Sequence, residues 1–181
     1  MIGDIAPKKV DQAPQMQVVE GASSWNQAGT FEQRDHTTYA KKWFREEALK
    51  LMVDLPPKTI GAIEVPQFLT ITEVKDFKGD ASTAMARGKK KYFVDIIFTL
   101  AWTFQFDDDG ATASGTALFP DVTGDAVDEG DPLECQVSVD PLTPQGARAI
   151  VDSHVKSESQ GLRPAVLQLC KTFLDDFRQN K

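Results

Sequence analysis

The sequence has only two cysteines, Cys135 and Cys170, and two histidines, His36 and His154. Two cysteines cannot build a framework of several disulfides, and the sequence has no spaced Cys/His cluster of the kind that zinc requires. We therefore expect both thiols to be free, as in proteins of a reducing compartment. Since each histidine stands alone in the sequence, we expect neither to be catalytic.

Long apolar runs are also missing. No stretch approaches the roughly 18 apolar residues that a membrane span requires. The start of the chain lacks the uninterrupted apolar segment of a secretory signal, and its glycine stands at position 3, where it does not fit a myristoylation signal. We expect a cytoplasmic protein that has no membrane partner.

Signatures of enzymes are nearly absent. The sequence contains no Gly-x-Ser-x-Gly motif and no phosphate-binding glycine-rich loop followed by Lys and Ser or Thr. Residues 153–156 match Ser-x-x-Lys, but a lone four-residue match is expected by chance. A calcium loop built on Asp109-Gly110 would start at Gln105 and would place Thr116 where a bidentate Glu is needed. We expect no enzymatic activity, no cofactor and no metal.

Basic residues are missing from one long stretch of the chain. The 181 residues include 20 basic and 27 acidic side chains, a net charge of −7 that argues against nucleic acid as a partner. Ten of the acids lie between Asp107 and Asp140, where there is no Lys or Arg, whereas four basic residues fall between Arg87 and Lys91. The chain is therefore bipolar in charge rather than uniformly acidic.

A chain of this length and composition favours one globular domain with a tail. Residues 1–22 contain no aromatic residue and two prolines, so we expect a disordered N-terminal tail there. The single domain is expected to span residues 23–181 and to be a monomer.

Two helical patterns flank the middle of the chain. Apolar residues recur at spacings of three and four from His36 to Leu55, which predicts a helix that Pro56-Pro57 would end. Residues 145–157 show the same spacing more briefly. Beyond Gly161, an apolar face that ends at Phe177 predicts a final helix.

Between these helices the pattern changes to alternation. Every even position from Tyr92 to Phe106 is apolar or aromatic, which predicts one long strand with a buried face and a polar face. Shorter strands are predicted at 68–77, 80–86, 112–119 and 133–139, with a connection at 56–66 and an acidic loop at 121–132. The predicted fold class is α+β, an elongated antiparallel meander of four or five strands with an N-terminal helix and C-terminal helices packed on one face.

The basic cluster between Arg87 and Lys91 lies between two strand patterns, so it should form the tip of a β-hairpin. Its charges either protect a sheet edge or steer the protein onto an acidic or phosphate-bearing partner. Phe93 and Ile97 fall on the otherwise polar face of the long strand. An apolar patch beside concentrated charge favours a protein-docking surface.

Four segments in order resemble the N-terminal domain of the activator of heat-shock protein 90 ATPase. The resemblance covers about Trp25 to Phe177. Ala86 departs from it, because the family has an arginine there. The matching segments are Trp25–Asp35 running into the helix with Tyr39, Ala40 and Trp43; Gly79-Asp80-Ala81 with Arg87-Gly88-Lys89; Gly115 with Phe119-Pro120-Asp121; and the closing helix with Leu162-Arg163.

This resemblance implies a co-chaperone of protein folding and the stress response. Such a protein binds the middle segment of heat-shock protein 90 and stimulates its ATPase by favouring the active conformation. The family's second, lipid-transfer-like domain does not follow in this sequence, so a short, single-domain member is expected. The lost arginine and the missing domain leave open a non-activating adaptor of the same chaperone. The partner-binding residues that the resemblance implies are Trp25, Asn26, Phe31, Asp80, Arg87, Lys89, Lys90, Lys91, Phe93 and Asp121.

Overall fold

The computed structural model describes residues 31–86, 89–106 and 110–180. The predicted tail at residues 1–22 lies outside the described residues. The strands are β1 (Phe31–Asp35), β2 (Met52–Ile60), β3 (Ile63–Ala86), β4 (Lys89–Gln105), β5 (Thr112–Thr123) and β6 (Gln136–Val139), and the helices are α1 (Thr37–Glu47), α2 (Gly124–Glu129), α3 (Arg148–Ile150) and α4 (Leu162–Asn180). Short 3-10 turns lie at Ala48–Lys50 and Gln145–Ala147, and α3 continues into a π-helical turn at Val151–Val155.

The six strands form one antiparallel sheet in the order β1-β3-β4-β5-β6, and β2 pairs with the first part of β3. Because β3 is 24 residues long, its start pairs with β2 and its end with β1. The fold class predicted from the sequence is confirmed, with six strands in place of four or five.

The helices pack on one face of this sheet and share its core. Phe44 of α1 has no exposed surface, and its ring lies 5.1 Å from that of Phe98 in β4 and 4.9 Å from that of Phe173 in α4. In β4 the even residues from Val94 to Phe104 are all buried, as the alternation predicts. Among the described residues, no helix is long and apolar enough to cross a membrane.

The first predicted helix extends too far. The helix in the structure, α1, ends at Glu47. Residues 52–60 form β2, in which Val53 and Leu55 are buried. Val53 pairs with Leu69 of β3, so a strand partner distant in sequence overrides the helical spacing. The two prolines lie at a bulge between Leu55 and Lys58. Among the described strands β2 pairs with β3 alone, and at such a position a missing backbone N–H can be tolerated.

The acidic segment at 121–132 is not a loop throughout. β5 continues to Thr123, whose side chain caps α2 by accepting a hydrogen bond from the Ala126 N–H at 3.4 Å. Gly130 ends α2 in the left-handed conformation, with φ of 78°. The helical pattern at 145–157 is confirmed as one continuous helical segment at residues 145–155, which passes from 3-10 through α to π geometry, and the final helix is confirmed as α4.

Candidate docking surface

The sheet has two different faces, and the helices bury residues on only one of them. We call the other the open face. It is formed by the odd-numbered side chains of β4 from Lys89 to Gln105 and by their cross-strand neighbours. Phe93 and Ile97 lie on it with 52% and 37% of their surface exposed. The apolar patch expected from the sequence is therefore present on this face.

The strand alternation separates the three predicted lysines. Lys89 and Lys91 share the open face with Phe93, because alternate residues of a strand point the same way. Lys90 points to the helix side, where its Nζ lies 5.4 Å from the ring centroid of Tyr92. The hydroxyl of Tyr92 donates in turn to the backbone carbonyl of Arg178 in α4, at 3.1 Å.

A cleft of about 780 Å³ opens on this face next to the lysines, and we call it the tip cleft. Its floor is made by small residues of β3, Ser82 and Ala84, which pair with Phe93 and Lys91 on β4. Larger residues on both neighbouring strands form the walls. The residues that line the tip cleft are Gln33, Asp35, Asp80, Ser82, Ala84, Lys91, Tyr92, Phe93, Val94, Asp95, Thr123, Gly124 and Asp125.

One end of the tip cleft is acidic. Asp80 of β3 stands directly opposite Asp95 of β4, and like charges that face each other across a sheet repel. Asp35 lines the same cleft, and the N–H of Thr37 donates to its carboxylate at 2.8 Å. Hydrogen bonds from Thr37 hold the pKa of Asp35 below its ordinary value, so this group stays ionised at neutral pH. Sequence reasoning selected Asp80 but missed Asp95 and Asp35, because only the register of the strands brings the three together.

Asp121 belongs to the same surface but not to the cleft lining. It is exposed near the end of β5, two residues before Thr123, which pairs with Asp95. Since alternate residues share a face, Asp121 and Thr123 both lie on the open face. The structure thus places Asp80, Lys89, Lys91, Phe93 and Asp121 on one surface.

The remaining predicted residues are not brought into this surface by the described structure. Trp25, Asn26 and Arg87 lie outside the described residues. For Phe31 the backbone is described, and it pairs with Ala86 at the end of β3.

The groups that could carry covalent chemistry are engaged elsewhere. Burial raises the pKa of the Cys135 thiol to about 11 and that of Cys170 to about 12, so neither is a thiolate at neutral pH. His154 Nδ1 lies 2.8 Å from Ser153 Oγ, but that hydroxyl also contacts the Ala149 carbonyl at 2.8 Å within its own helical turn. Among the described residues, no group of three or more His, Cys, Asp or Glu could hold a metal ion. The open face therefore offers recognition by charge and apolar contact.

Comparison with known proteins identifies the family of the chain. The sequence model of the family described as the activator of Hsp90 ATPase, N-terminal, matches residues 33–181. The fold is similar to the crystal structure of Aha-1 from Plasmodium falciparum, with a TM-score of 0.62 and 16% identity over 81% of this chain and 88% of that one. The solution structure of the human Aha1 N-terminal domain gives a TM-score of 0.47 and 20% identity over 76% of this chain and 87% of that one. Curated protein sequences give no match.

Proposed function

The chain belongs to the family of the activator of Hsp90 ATPase, N-terminal domain, and from this premise we propose that it is a co-chaperone that binds the middle segment of heat-shock protein 90 and stimulates its ATPase. Members of this family act on another protein's ATPase and are not themselves the catalyst. The observation that most supports the proposal is the tip cleft, which combines exposed Phe93, Lys91 and the Asp80–Asp95 pair on one face.

The physical requirement for activation is differential binding. The protein raises the turnover of the chaperone only if it binds the ATPase-competent conformation more tightly than the resting one. A tenfold shift between these two conformations needs about 1.4 kcal/mol of difference in binding free energy. Charges at the edge of the surface speed the encounter, and contacts at Phe93 and in the cleft then discriminate between the two conformations.

The basic tip is the part of this surface that we expect to reach the catalytic loop of the chaperone. The double variant Arg87→Ala/Lys89→Ala should reduce ATPase stimulation by about tenfold or more, because one charged contact to a buried partner group contributes on the order of 1.5–3 kcal/mol. The measurement is chaperone ATP turnover during titration with each variant.

The matched control removes two lysines from the helix side. Lys42 and Lys50 are exposed and each forms an ion pair with a neighbouring glutamate, Glu46 and Glu47, and Lys42→Ala/Lys50→Ala makes the same change in net charge. We expect this control to stimulate like the unmodified protein. Equal stimulation by both double variants would remove the basic tip from the mechanism.

A second candidate function is a non-activating adaptor of the same chaperone. Ala86, which stands where the family has an arginine, pairs with Lys89 at the tip end of β3, so one cation is missing beside the cleft. Binding by calorimetry and ATP turnover, measured in the same titration, separate the two candidates, because an adaptor binds the chaperone without changing its turnover.

We also propose that the protein works as a monomer in the cytoplasm. Both cysteines are free, which suits a reducing compartment. Sedimentation of the purified protein and imaging of a tagged copy in cells test these two points.

A further inference from the structure

A second depression lies on the open face, at the end of the sheet far from the basic tip. We call it the distal groove. It has a volume of about 350 Å³ and is lined by Met52, Lys58, Ile60, Val65, Pro66, Gln67, Phe68, Thr70 and Gln105. Met52 is 58% exposed and Phe68 is 40% exposed. Large apolar side chains this exposed, grouped around one groove, indicate a surface that another molecule covers.

Burial of the open face between the two depressions requires little desolvation of charged groups. On β4, the open-face residues from Ile97 to Thr103 carry no charge, and neither do Ser114 and Thr116 opposite them on β5. The threonine hydroxyls at this end donate to backbone carbonyls: Thr70 to Thr103 at 3.5 Å and Thr103 to Ala113 at 3.2 Å. Their donor capacity is thus met within the sheet, and their methyl groups are left for contact.

Charged residues border this strip on both sides. On β3, Glu73 and Lys75 form an ion pair with a separation of 3.5 Å, and Lys78 faces Ile97; on β5, Asp121 lies at the tip-cleft end. The open-face residues of β4 from Ile97 to Thr103, with Ser114 and Thr116 on β5, form an uncharged strip between the tip cleft and the distal groove.

The dimensions of the strip fit a large protein partner. Phe93 and Gln105 are twelve residues apart in β4, so they are separated by roughly 40 Å at about 3.3 Å per residue. Together with the neighbouring part of β3, the strip is three strands wide, on the order of 15 Å at about 4.8 Å spacing, and hence has an area on the order of 600 Å². A stable complex of standard size buries about 800 Å² on each partner.

We infer that the open face is one continuous docking surface and that the distal groove is its second anchor, which receives an apolar side chain from a region of the same chaperone distant from the one bound at the tip. This inference rests on the proposed function and adds to it a site and its ligand chemistry. The continuity of the uncharged strip favours a single large partner over a short peptide, which would fill only one depression.

A second copy of this chain fits the groove less well. The exposed edge beside the groove is β2, which carries Pro56 and Pro57 at a bulge. Proline and bulges both hinder the strand-to-strand pairing through which sheet edges associate.

The test places a charge in the distal groove without touching the tip. In full-length protein, Met52→Glu and Phe68→Glu, singly and together, should weaken binding to the full-length chaperone, with a loss of at least tenfold in affinity for the double variant. Leu49→Glu is the matched control, because Leu49 is 49% exposed and does not line the groove. Binding is measured by calorimetry, and circular dichroism checks that each variant keeps its fold and melting temperature.

The possible outcomes separate the inference from the proposed function. Loss of affinity in the single variant Met52→Glu as well as in the double variant, with Leu49→Glu unchanged, supports the second anchor. Unchanged affinity in folded groove variants, while the tip variant binds weakly, overturns the second anchor and leaves the proposed function standing. If the unmodified protein does not bind the chaperone, both fail. If it self-associates and the groove variants abolish this, the occupant is a second copy and the inference is overturned.

Discussion

Asp95 is the residue whose position is hardest to explain by stability alone. It faces Asp80 across the β3–β4 ladder, and a like-charge pair in that arrangement destabilises a sheet by about 0.2–1 kcal/mol. A basic side chain of a partner, inserted between the two carboxylates, would turn this repulsion into two attractive contacts. The pair is therefore better suited to the bound state than to the free protein.

This interpretation predicts opposite effects of Asp95→Asn on stability and on binding. The substitution should raise the melting temperature of the free protein by a few degrees, because a cost of about 0.2–1 kcal/mol is relieved, and should weaken chaperone binding several-fold. Asp175→Asn is the control, since Asp175 is an exposed residue of α4, on the helix side and away from the open face. Thermal denaturation and calorimetry measure the two effects. If Asp95→Asn binds as tightly as the unmodified protein, the acidic end of the cleft is not a contact.

At the scale of elements, the length of β3 depends on one glycine. Gly79 has φ of 107°, and a Cβ added there would lie 2.1 Å from the backbone oxygen of Asp95. A side chain would both strain the backbone and push β4 away, next to the Asp80–Asp95 pair. Gly79 is thus what allows β3 to continue from the part that pairs with β2 to the part that pairs with β1.

We predict that Gly79→Ala destabilises the protein by about 3 kcal/mol or more, because backbone strain and a clash add together. Gly61→Ala serves as the comparison: Gly61 also has positive φ, 64°, but a Cβ there meets nothing within 4 Å. Gly61→Ala should lower the free energy of unfolding by only about 1–2 kcal/mol, because the left-handed backbone is the only source of strain there. Urea denaturation gives both values. Similar losses for the two variants would show that the close approach to Asp95 relaxes easily.

Features that depend on a local sequence pattern were predicted correctly, whereas features that depend on a distant strand partner were not. The alternation in β4 identified the buried face and the exposed Phe93, since a period of two is a local property. The sequence analysis divided β3 into two strands, 68–77 and 80–86, whereas the structure continues through Gly79, because a bulged strand and a turn share residue types. Likewise, Val53 and Leu55 fitted a helix until β3 supplied a partner. Asp35 and Asp95 could not be grouped with Asp80, because strand register depends on the whole sheet.

At the scale of the whole molecule, the charge distribution and the open face have separate roles. Lys89 to Lys91 give a basic end to a chain whose net charge is −7, and Asp35, Asp80, Asp95 and Asp125 line the tip cleft beside it. From Ile97 to Thr103 of β4, with Ser114 and Thr116 opposite them on β5, the open face is uncharged. Long-range attraction to a partner therefore acts at the tip end, and short-range contact acts along the strip.

This separation predicts which rate constant each perturbation changes. Raising the ionic strength from about 0.05 to 0.5 M shortens the Debye length to a few ångströms, which screens exposed charges. It should lower the association rate constant for the chaperone by about tenfold and leave the dissociation rate constant within about twofold. The groove variant Met52→Glu/Phe68→Glu should instead raise the dissociation rate constant and leave the association rate constant nearly unchanged, because an apolar contact is made only after encounter. Stopped-flow binding measures both constants. A salt effect confined to dissociation would contradict steering by the tip and would place its charges in the tightly bound interface instead.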